Sequence, residues 1–173
     1  MTDTIENNVS KLAAFDRTPR LAELKVSYRR SRNRRVKQER NEQTLYCIRD
    51  SKSCEKYLRE IWNQDTIELR EEFIVLCLNN AHEVLGWINV SSGGLSATVV
   101  DPRIIFGVAL QTASASIIVA HNHPSGSVIP SPHDKAITQQ LRAAGKMLGI
   151  TLLDHLIVSR DSYYSFADSG WTE

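Results

Sequence analysis

The sequence lacks the features that mark membrane, secreted or disulfide-stabilised proteins. Its apolar runs are short, and none approaches the roughly 20 residues that a membrane helix needs. The N-terminal residues hold no apolar stretch of the signal-peptide kind. Three cysteines, an odd number without a CxxC pair, argue against a disulfide framework or a cysteine zinc knuckle. We therefore expect a protein of the reducing cytoplasm that does not bind membranes.

Motifs of several other metal enzymes are also missing. A zinc deaminase requires HxE together with PCxxC, and neither pattern is present. A metallo-β-lactamase-like site requires HxHxDH, whereas Ser125 and Gly126 follow Pro124 here. The literal tripeptide HNH does not indicate an HNH nuclease, because that name refers to dispersed residues. The two missing patterns exclude a deaminase site and a β-lactamase-like site, and the tripeptide gives no support to a nuclease.

Charge is distributed unevenly along a chain of otherwise ordinary globular composition. The 173 residues are 42% hydrophobic and 24% charged, which suits one domain with an appended segment. Residues 1–40 hold 11 Lys/Arg against 5 Asp/Glu, while the whole chain has a net charge of only +1. We predict a basic, partly flexible segment over residues 1–45 and a domain over residues 46–173. The basic segment is either a solvated tail or an arm for non-specific nucleic-acid binding, with Arg29, Arg30, Arg32, Arg34 and Arg35 as its candidate contacts.

Hydrophobic periodicity predicts a mixed α/β fold with a single sheet and flanking helices. Proline at the first helical position after Asp or Ser indicates two helix starts, at Asp101-Pro102 and at Ser131-Pro132. The first of these helices is expected to end near Ala113 and the second near Gly149. A further helix begins at Ser51, with Tyr57, Leu58 and Ile61 facing inward. The predicted strands are residues 21–28, 71–78, 84–90, 117–120, 151–159 and 163–166. Loops are predicted over residues 91–94 and 121–130. The core is predicted to include Cys77, Trp62 and Trp87.

Two histidines follow the short apolar strand over residues 117–120. His121 and His123 stand two positions apart, and in extended backbone such side chains project to the same side. Neutral imidazole is a preferred ligand of zinc. The HxH pattern at the entrance of a loop rich in Gly and Pro therefore favours a metal site over two structural histidines.

Ser131 and Asp134 allow two interpretations, which do not exclude each other. Ser-Pro-x-Asp is a helix start in which the serine caps and the aspartate completes an approximate capping box. The same geometry directs Asp134 back towards the loop that carries the histidines. A carboxylate there would be a third metal ligand and would leave a fourth position for water, which is the arrangement of catalytic rather than structural zinc sites.

Hydrolysis by metal-activated water also needs a group that carries the proton to the leaving atom. Glu71 and Glu72, at the head of a predicted strand, are the candidates. Because side chains alternate along a strand, only one of the two can face the site. An exposed glutamate at a strand end is the alternative interpretation for either residue.

The pattern His-x-His-x7-Ser-x2-Asp, formed by His121, His123, Ser131 and Asp134, resembles the JAMM motif of the JAB/MPN metalloproteases. The stretches EEFIVLCLNNAHEVLGW, AHNHPSG, LLDHLIV and YYSF are similar to the RadC-like branch of that superfamily, over roughly residues 50–168. The resemblance implies a cytidine-deaminase-like α/β architecture. It also implies one zinc ion bound by the two histidines and the aspartate, with Ser131 at the oxyanion and a glutamate as base. Aligning the family's strand favours Glu71, although placing the glutamate directly before Phe73 would favour Glu72.

The sequence is compatible with three functions. The first is an enzyme that hydrolyses an amide bond in an unknown protein or peptide with zinc-activated water. The second is a nucleic-acid-associated accessory protein, related to DNA repair, in which the metal site is structural or vestigial. Residues 1–50 show no helix-hairpin-helix pattern of the longer RadC proteins, which weakens that role. The third is a phosphodiesterase with the same metal centre.

Two further histidines lie outside the motif. His133 is expected at the surface, and His155 is expected either in a structural contact or near the metal.

Overall fold

The computed structural model describes residues 45–92 and 100–171, which form one five-stranded sheet flanked by three helices. The order is helix, two strands, helix, strand, helix and two strands, as the periodicity predicts. The strands are β1 (Glu72–Leu78), β2 (Val84–Ser92), β3 (Ser116–Asn122), β4 (Thr151–Val158) and β5 (Tyr163–Ser165). The helices are α1 (Ser51–Ile61), α2 (Pro102–Gln111) and α3 (Pro132–Leu148).

The sheet is mixed, and β3 lies at its centre. The strand order is β2-β1-β3-β4-β5, and every pair is antiparallel except β3 with β4. Parallel neighbours cannot be joined by a tight turn, so the chain crosses from β3 to β4 through α3. The predicted α/β fold with a single sheet and flanking helices is therefore confirmed.

One face of the sheet is covered by α1. The helix begins at Asp50, whose side chain accepts from the Ser53 N–H while the Ser53 hydroxyl accepts from the Asp50 N–H, a reciprocal capping box. Tyr57 and Leu58 are buried as predicted, and Ile61 packs at the margin. The same cluster contains alternate residues of the central strands, namely Ile74, Leu76, Leu78, Ile118, Ala120, Leu156 and Val158.

The other face of the sheet is covered by α2 and α3. Phe106 and Ala109 of α2 and Ile137 and Leu141 of α3 pack against the remaining alternate residues of the strands. Both helices start as predicted, with Asp101 and Ser131 as caps and proline in the first turn. The strand side chains of this layer are Phe73, Val75, Cys77, Ile117, Val119 and Leu152.

The structure corrects several predicted boundaries. Strand β3 continues through His121 and Asn122, which were predicted to begin a loop, because both residues pair with β4 and His121 also pairs with Phe73 of β1. Strand β2 runs on through Ser92 into the predicted loop, since Ser91 and Ser92 still pair with β1. Helix α2 ends at Gln111, two residues earlier than predicted. The predicted strand over residues 21–28 lies outside the described residues.

Trp87 is not a core residue, although Trp62 and Cys77 are. Trp87 is 42% exposed, whereas Trp62 is only 5% exposed. The reason is its position on β2, an edge strand, while α1 contacts the sheet mainly at β4 on the other side. Apolar surroundings in the sequence predict burial only where a helix covers the strand.

Among the described residues, no helix combines the length and the apolar character that crossing a bilayer requires.

Two helical glycines give a matched test of this packing. A Cβ at Gly145 in α3 would collide with the Ile150 carbonyl and press on the Phe106 ring, whereas a Cβ at Gly107 in α2 would meet no atom within 4 Å. We predict that Gly145→Ala lowers the free energy of unfolding by about 1–3 kcal/mol through overpacking. Gly107→Ala should instead leave stability unchanged or raise it by up to about 1 kcal/mol, because alanine is the better helix former. Urea denaturation of both variants measures the difference, and equal effects would contradict this packing.

Candidate metal centre

The two histidines of the HxH pattern lie at the end of the central strand. His121 is the penultimate residue of β3, and His123 follows the strand with its N–H donated to the Val158 carbonyl. Their side chains project to the same side, and the two Nε2 atoms are 3.0 Å apart. His121 is buried against Phe73, whose ring stacks on it at a centroid distance of 6.0 Å. The end of the strand thus brings the Nε2 atoms of the two imidazole rings together.

Asp134 reaches the same point from the start of α3. Its Oδ1 lies 3.1 Å from Nε2 of His121, and its Oδ2 lies 3.6 Å from Nε2 of His123. The aspartate is also part of a capping box, because Oδ2 accepts from the Ser131 N–H at 2.7 Å and the Ser131 hydroxyl accepts from the Asp134 N–H at 3.2 Å. Capping therefore holds the carboxylate in front of the histidines, so both interpretations of Ser131 and Asp134 describe the same geometry.

The donor set fits a metal ion. One ligand atom each from His121, His123 and Asp134 lies within 4.8 Å of the others. Nδ1 of His123 is 2.7 Å from the Ser127 carbonyl, which can only accept, so neutral His123 carries its proton on Nδ1 and a lone pair on Nε2. That lone pair meets Nε2 of His121 and the carboxylate of Asp134. Such a cluster of electron pairs is stabilised by a cation at its centre.

The electrostatics of the cluster favour positive charge. Burial raises the pKa of the Asp134 carboxyl, but hydrogen bonds with His121 and His123 outweigh burial and hold this pKa well below its ordinary value. The hydrogen bond to Asp134 raises the pKa of His123, and the charge of Glu71 adds to this effect. Asp134 is therefore ionised at neutral pH, as a metal ligand must be. A proton and a metal ion compete for the same nitrogen of His123.

Glu71 and Glu72 lie on opposite faces of the sheet. Phe73, Val75 and Cys77 face α3, and by alternation Glu71 falls on this same side, immediately before β1 begins. The charge of Glu71 acts on His123, which indicates that the carboxylate lies near the metal site. Glu72 is buried on the α1 side, where its carboxylate binds Arg70 at 2.8 Å. The geometry favours Glu71 over Glu72 as the proton carrier, and its catalytic role remains a prediction.

Asn122, which lies between His121 and His123, was not predicted to have a role. Its side chain is fully buried on the face opposite the metal site. The amide oxygen accepts from the Glu72 N–H at 2.7 Å, and the amide nitrogen donates to the carbonyls of Ile67 and Arg70 at 2.6 and 2.8 Å. All three partners belong to the segment that carries Glu71. Asn122 therefore fastens this segment to β3, a contact between distant residues that sequence spacing does not reveal.

His155 lies directly behind His121. Its Nε2 is 2.8 Å from Nδ1 of His121, and its Nδ1 is 2.7 Å from the hydroxyl of Thr138. Burial, followed by the charge of His121, lowers the pKa of His155 well below its ordinary value, so the ring is neutral at pH 7. Of the two positions expected for His155, the structure has the one near the metal site. Thr138 was missed, although its spacing from Asp134 on a helix, four residues, could have indicated a shared face.

The other residues singled out in the sequence do not belong to the group of candidate metal ligands. His133 is exposed, as expected. Gly126 adopts a φ of 83°, and its N–H donates to the His123 carbonyl, which closes the turn beside the site. The five arginines proposed for nucleic-acid binding lie outside the described residues.

Comparison with known proteins identifies relatives of this domain. A family model described as "RadC-like JAB domain" matches residues 48–171. A UPF0758 protein of Flavobacterium johnsoniae is 45% identical over 100 residues, covering 58% of this chain and 44% of the relative. UPF0758 proteins of Methanosarcina barkeri and Shouchella clausii are 44% and 43% identical over 102 and 113 residues, covering 59% and 65% of this chain and 44% and 49% of the relatives. The chain thus spans less than half the length of each of these proteins.

The contacts of Asn122 generate a stability prediction. Asn122→Ala removes the hydrogen bonds that its amide makes with a backbone N–H and two backbone carbonyls, and leaving a buried polar group unsatisfied costs about 1–3 kcal/mol. We expect the variant to lose at least this amount in the free energy of unfolding, measured by urea denaturation. Asn89→Ala, at an exposed position of β2, is the control and should change stability by less than about 0.5 kcal/mol. Equal losses in the two variants would contradict the assigned role.

Proposed function

Because the chain belongs to the family of RadC-like JAB domains, we propose that it is a zinc-dependent hydrolase that cleaves an amide bond in a peptide or protein. The observation that carries the proposal is the convergence of His121, His123 and Asp134, whose ligand atoms lie within 4.8 Å of one another. Two imidazoles and one carboxylate are a typical ligand set of catalytic zinc, which retains an open position.

The ligand chemistry favours zinc over harder metals. Imidazole nitrogen suits zinc and other transition metals, whereas magnesium and calcium prefer a shell of oxygen ligands. His121, His123 and Asp134 supply two nitrogens and one carboxylate, and no cysteine belongs to the group. When bound, zinc supplies Lewis-acid activation of water at neutral pH.

Residues of the chain itself transfer the proton, stabilise the developing negative charge and orient the metal ligands. Glu71, on the same face as the histidines, accepts a proton from the attacking water and delivers it to the leaving nitrogen. The Ser131 oxygen accepts from the Asp134 N–H, which leaves its own hydrogen available for the oxygen of the substrate carbonyl as negative charge develops there. His123 and Asp134 are oriented by the turn at Ser127 and by the helix cap, so the site is built before substrate arrives.

The ligand assignment is tested by metal analysis with two histidine variants. We predict about one zinc per chain in the wild type and loss of zinc in His123→Ala, because Nε2 of His123 supplies one of three ligand atoms. His133→Ala, ten residues further along at an exposed position, should retain the metal. Elemental analysis of the three purified proteins gives the answer. Equal zinc in both variants would refute the assignment.

The proton carrier is tested with the adjacent glutamates. We predict that Glu71→Gln lowers the rate about 10²–10⁴-fold while zinc stays bound, because an amide keeps the shape but cannot take the proton. The assay uses those members of a fluorogenic peptide library that the wild type cleaves, with elemental analysis in parallel. Glu72→Gln should retain activity, since Glu72 is buried on the opposite face with Arg70. Activity lost only in Glu72→Gln would reverse the assignment, and activity kept in both variants would refute a carboxylate base.

A further inference from the structure

A chain of buried hydrogen bonds runs behind the metal site and connects two of its ligands. From Nδ1 of His121 it passes to Nε2 of His155 at 2.8 Å, then from Nδ1 of His155 to the Thr138 hydroxyl at 2.7 Å. The Thr138 hydroxyl contacts the backbone carbonyl of Asp134 at 2.5 Å. His155 and Thr138 are both fully buried. The hydrogen bonds thus begin at one residue of the candidate ligand group, His121 on β3, and end at another, Asp134 on α3.

The chemistry of the last member fixes the direction of every bond. A carbonyl oxygen only accepts, so the single hydroxyl proton of Thr138 is donated to Asp134. The Thr138 oxygen must therefore accept from Nδ1–H of His155. A neutral imidazole has one N–H, so Nε2 of His155 accepts, and Nδ1 of His121 has to donate to it.

This order of donors and acceptors determines the protonation of Nε2 of His121, the nitrogen that faces the other two candidate ligands. With its proton on Nδ1, neutral His121 carries a lone pair on Nε2, the atom that lies 3.1 Å from Asp134 and 3.0 Å from His123. In the opposite tautomer, Nε2–H would point into the site, and two lone pairs would meet between His121 and His155. The two facing lone pairs would be unfavourable in a buried environment, and an Nε2 that carries a proton could not bind a metal ion. The order of the four groups therefore selects the form of His121 that can bind a metal ion.

A register shift in the sheet brings His155 to this position. Ile117 pairs with Leu152, but Ile118 pairs with Asp154, so Leu153 is an extra residue in β4. Without the extra residue, alternation would place Asp154 on the face of His121 and His155 on the α1 side. Asp154 instead binds the Ser165 hydroxyl and the Ala167 N–H on that other side.

From this geometry we infer that His155 and Thr138 are positioning residues that hold His121 in its Nδ1–H tautomer and so raise the affinity of the site for zinc. Neither residue belongs to the group of candidate ligands formed by His121, His123 and Asp134. The inference rests on the metal site of the proposed function but does not depend on hydrolysis. It assigns a role to two residues outside the His-x-His and Ser-x2-Asp pattern.

The Thr138 hydroxyl is tested with a pair of conservative variants. Thr138→Val keeps the shape but removes the donor that orders the chain, whereas Thr138→Ser keeps the hydroxyl. We expect Thr138→Val to bind zinc about 10–100-fold more weakly, the usual effect of losing a hydrogen-bond partner of a ligand histidine. Thr138→Ser should restore the wild-type affinity. Competition with a zinc-sensitive chelating dye measures the dissociation constants, and an unchanged affinity in Thr138→Val would overturn the inference.

A second pair of variants serves if Thr138→Val does not fold. His155→Gln can still offer a carbonyl oxygen to Nδ1–H of His121, whereas His155→Leu cannot. We expect zinc affinity to be kept in the first variant and to fall about 10–100-fold in the second. Equal affinities in the two variants would refute the positioning role of His155.

The tautomer itself can be read without metal and without substrate. Long-range ¹H–¹⁵N spectra of the metal-free wild type at mildly alkaline pH should show His121 and His155 as Nδ1–H tautomers. In Thr138→Val this preference should weaken, which loss of packing alone would not cause. Nε2–H on wild-type His121 would overturn the inference. A protein that shows the tautomers and the affinity changes but cleaves no peptide would refute only the proposed hydrolysis.

Discussion

The pairing of β3 on both of its edges is the constraint on which the rest of the site depends. Because β1 and β4 hydrogen-bond to β3 as far as its last residues, the backbone stays extended through His121 and Asn122. Extended backbone sends successive side chains to opposite faces. His121 therefore points to the candidate metal site and Asn122 points away from it. His123, held by the Val158 carbonyl, returns to the side of His121.

The start of α3 combines a structural and a chemical role in one group of atoms. A helix N-terminus leaves backbone N–H groups without partners, and Ser131 and Asp134 satisfy two of them. The positive end of the helix also favours an ionised carboxylate at this position. The same carboxylate faces the histidines at 3.1 and 3.6 Å. The Asp134 carboxylate thus both stabilises the start of the helix and is placed by it as a candidate ligand.

Polar side chains buried around the site need hydrogen-bond partners, because an unsatisfied polar group in the interior is destabilising. Asn122, Thr138 and His155 are each surrounded by apolar layers, and each has partners for its polar atoms. On one face of the sheet, the hydrogen bonds of Asn122 hold the segment that carries Glu71 against β3. On the other face, the hydrogen bonds of His155 and Thr138 hold the ring of His121. Networks of this kind rigidify their surroundings when they are complete. The candidate metal site is therefore supported from both sides of the sheet.

The sequence by itself determined the elements and the candidate ligands of the site, because these follow from local rules. Short apolar runs predicted the strands, and proline after a capping residue predicted the starts of α2 and α3. The spacing of His121, His123 and Asp134 predicted the group that the structure brings together. In each case the residues are near one another in the chain, so short-range geometry is sufficient.

Other features were decided only by the tertiary structure, because they depend on pairing between distant residues. The exposure of Trp87 follows from the place of β2 at the sheet edge. The registers of β1 and β4 set which of two neighbours faces the site, Glu71 rather than Glu72 and His155 rather than Asp154. A shift of one residue reverses every such choice, since side chains alternate with a period of two. No local pattern reports this shift, so the partners of Asn122 and the bonds between His155 and Thr138 emerge only when the strands are paired.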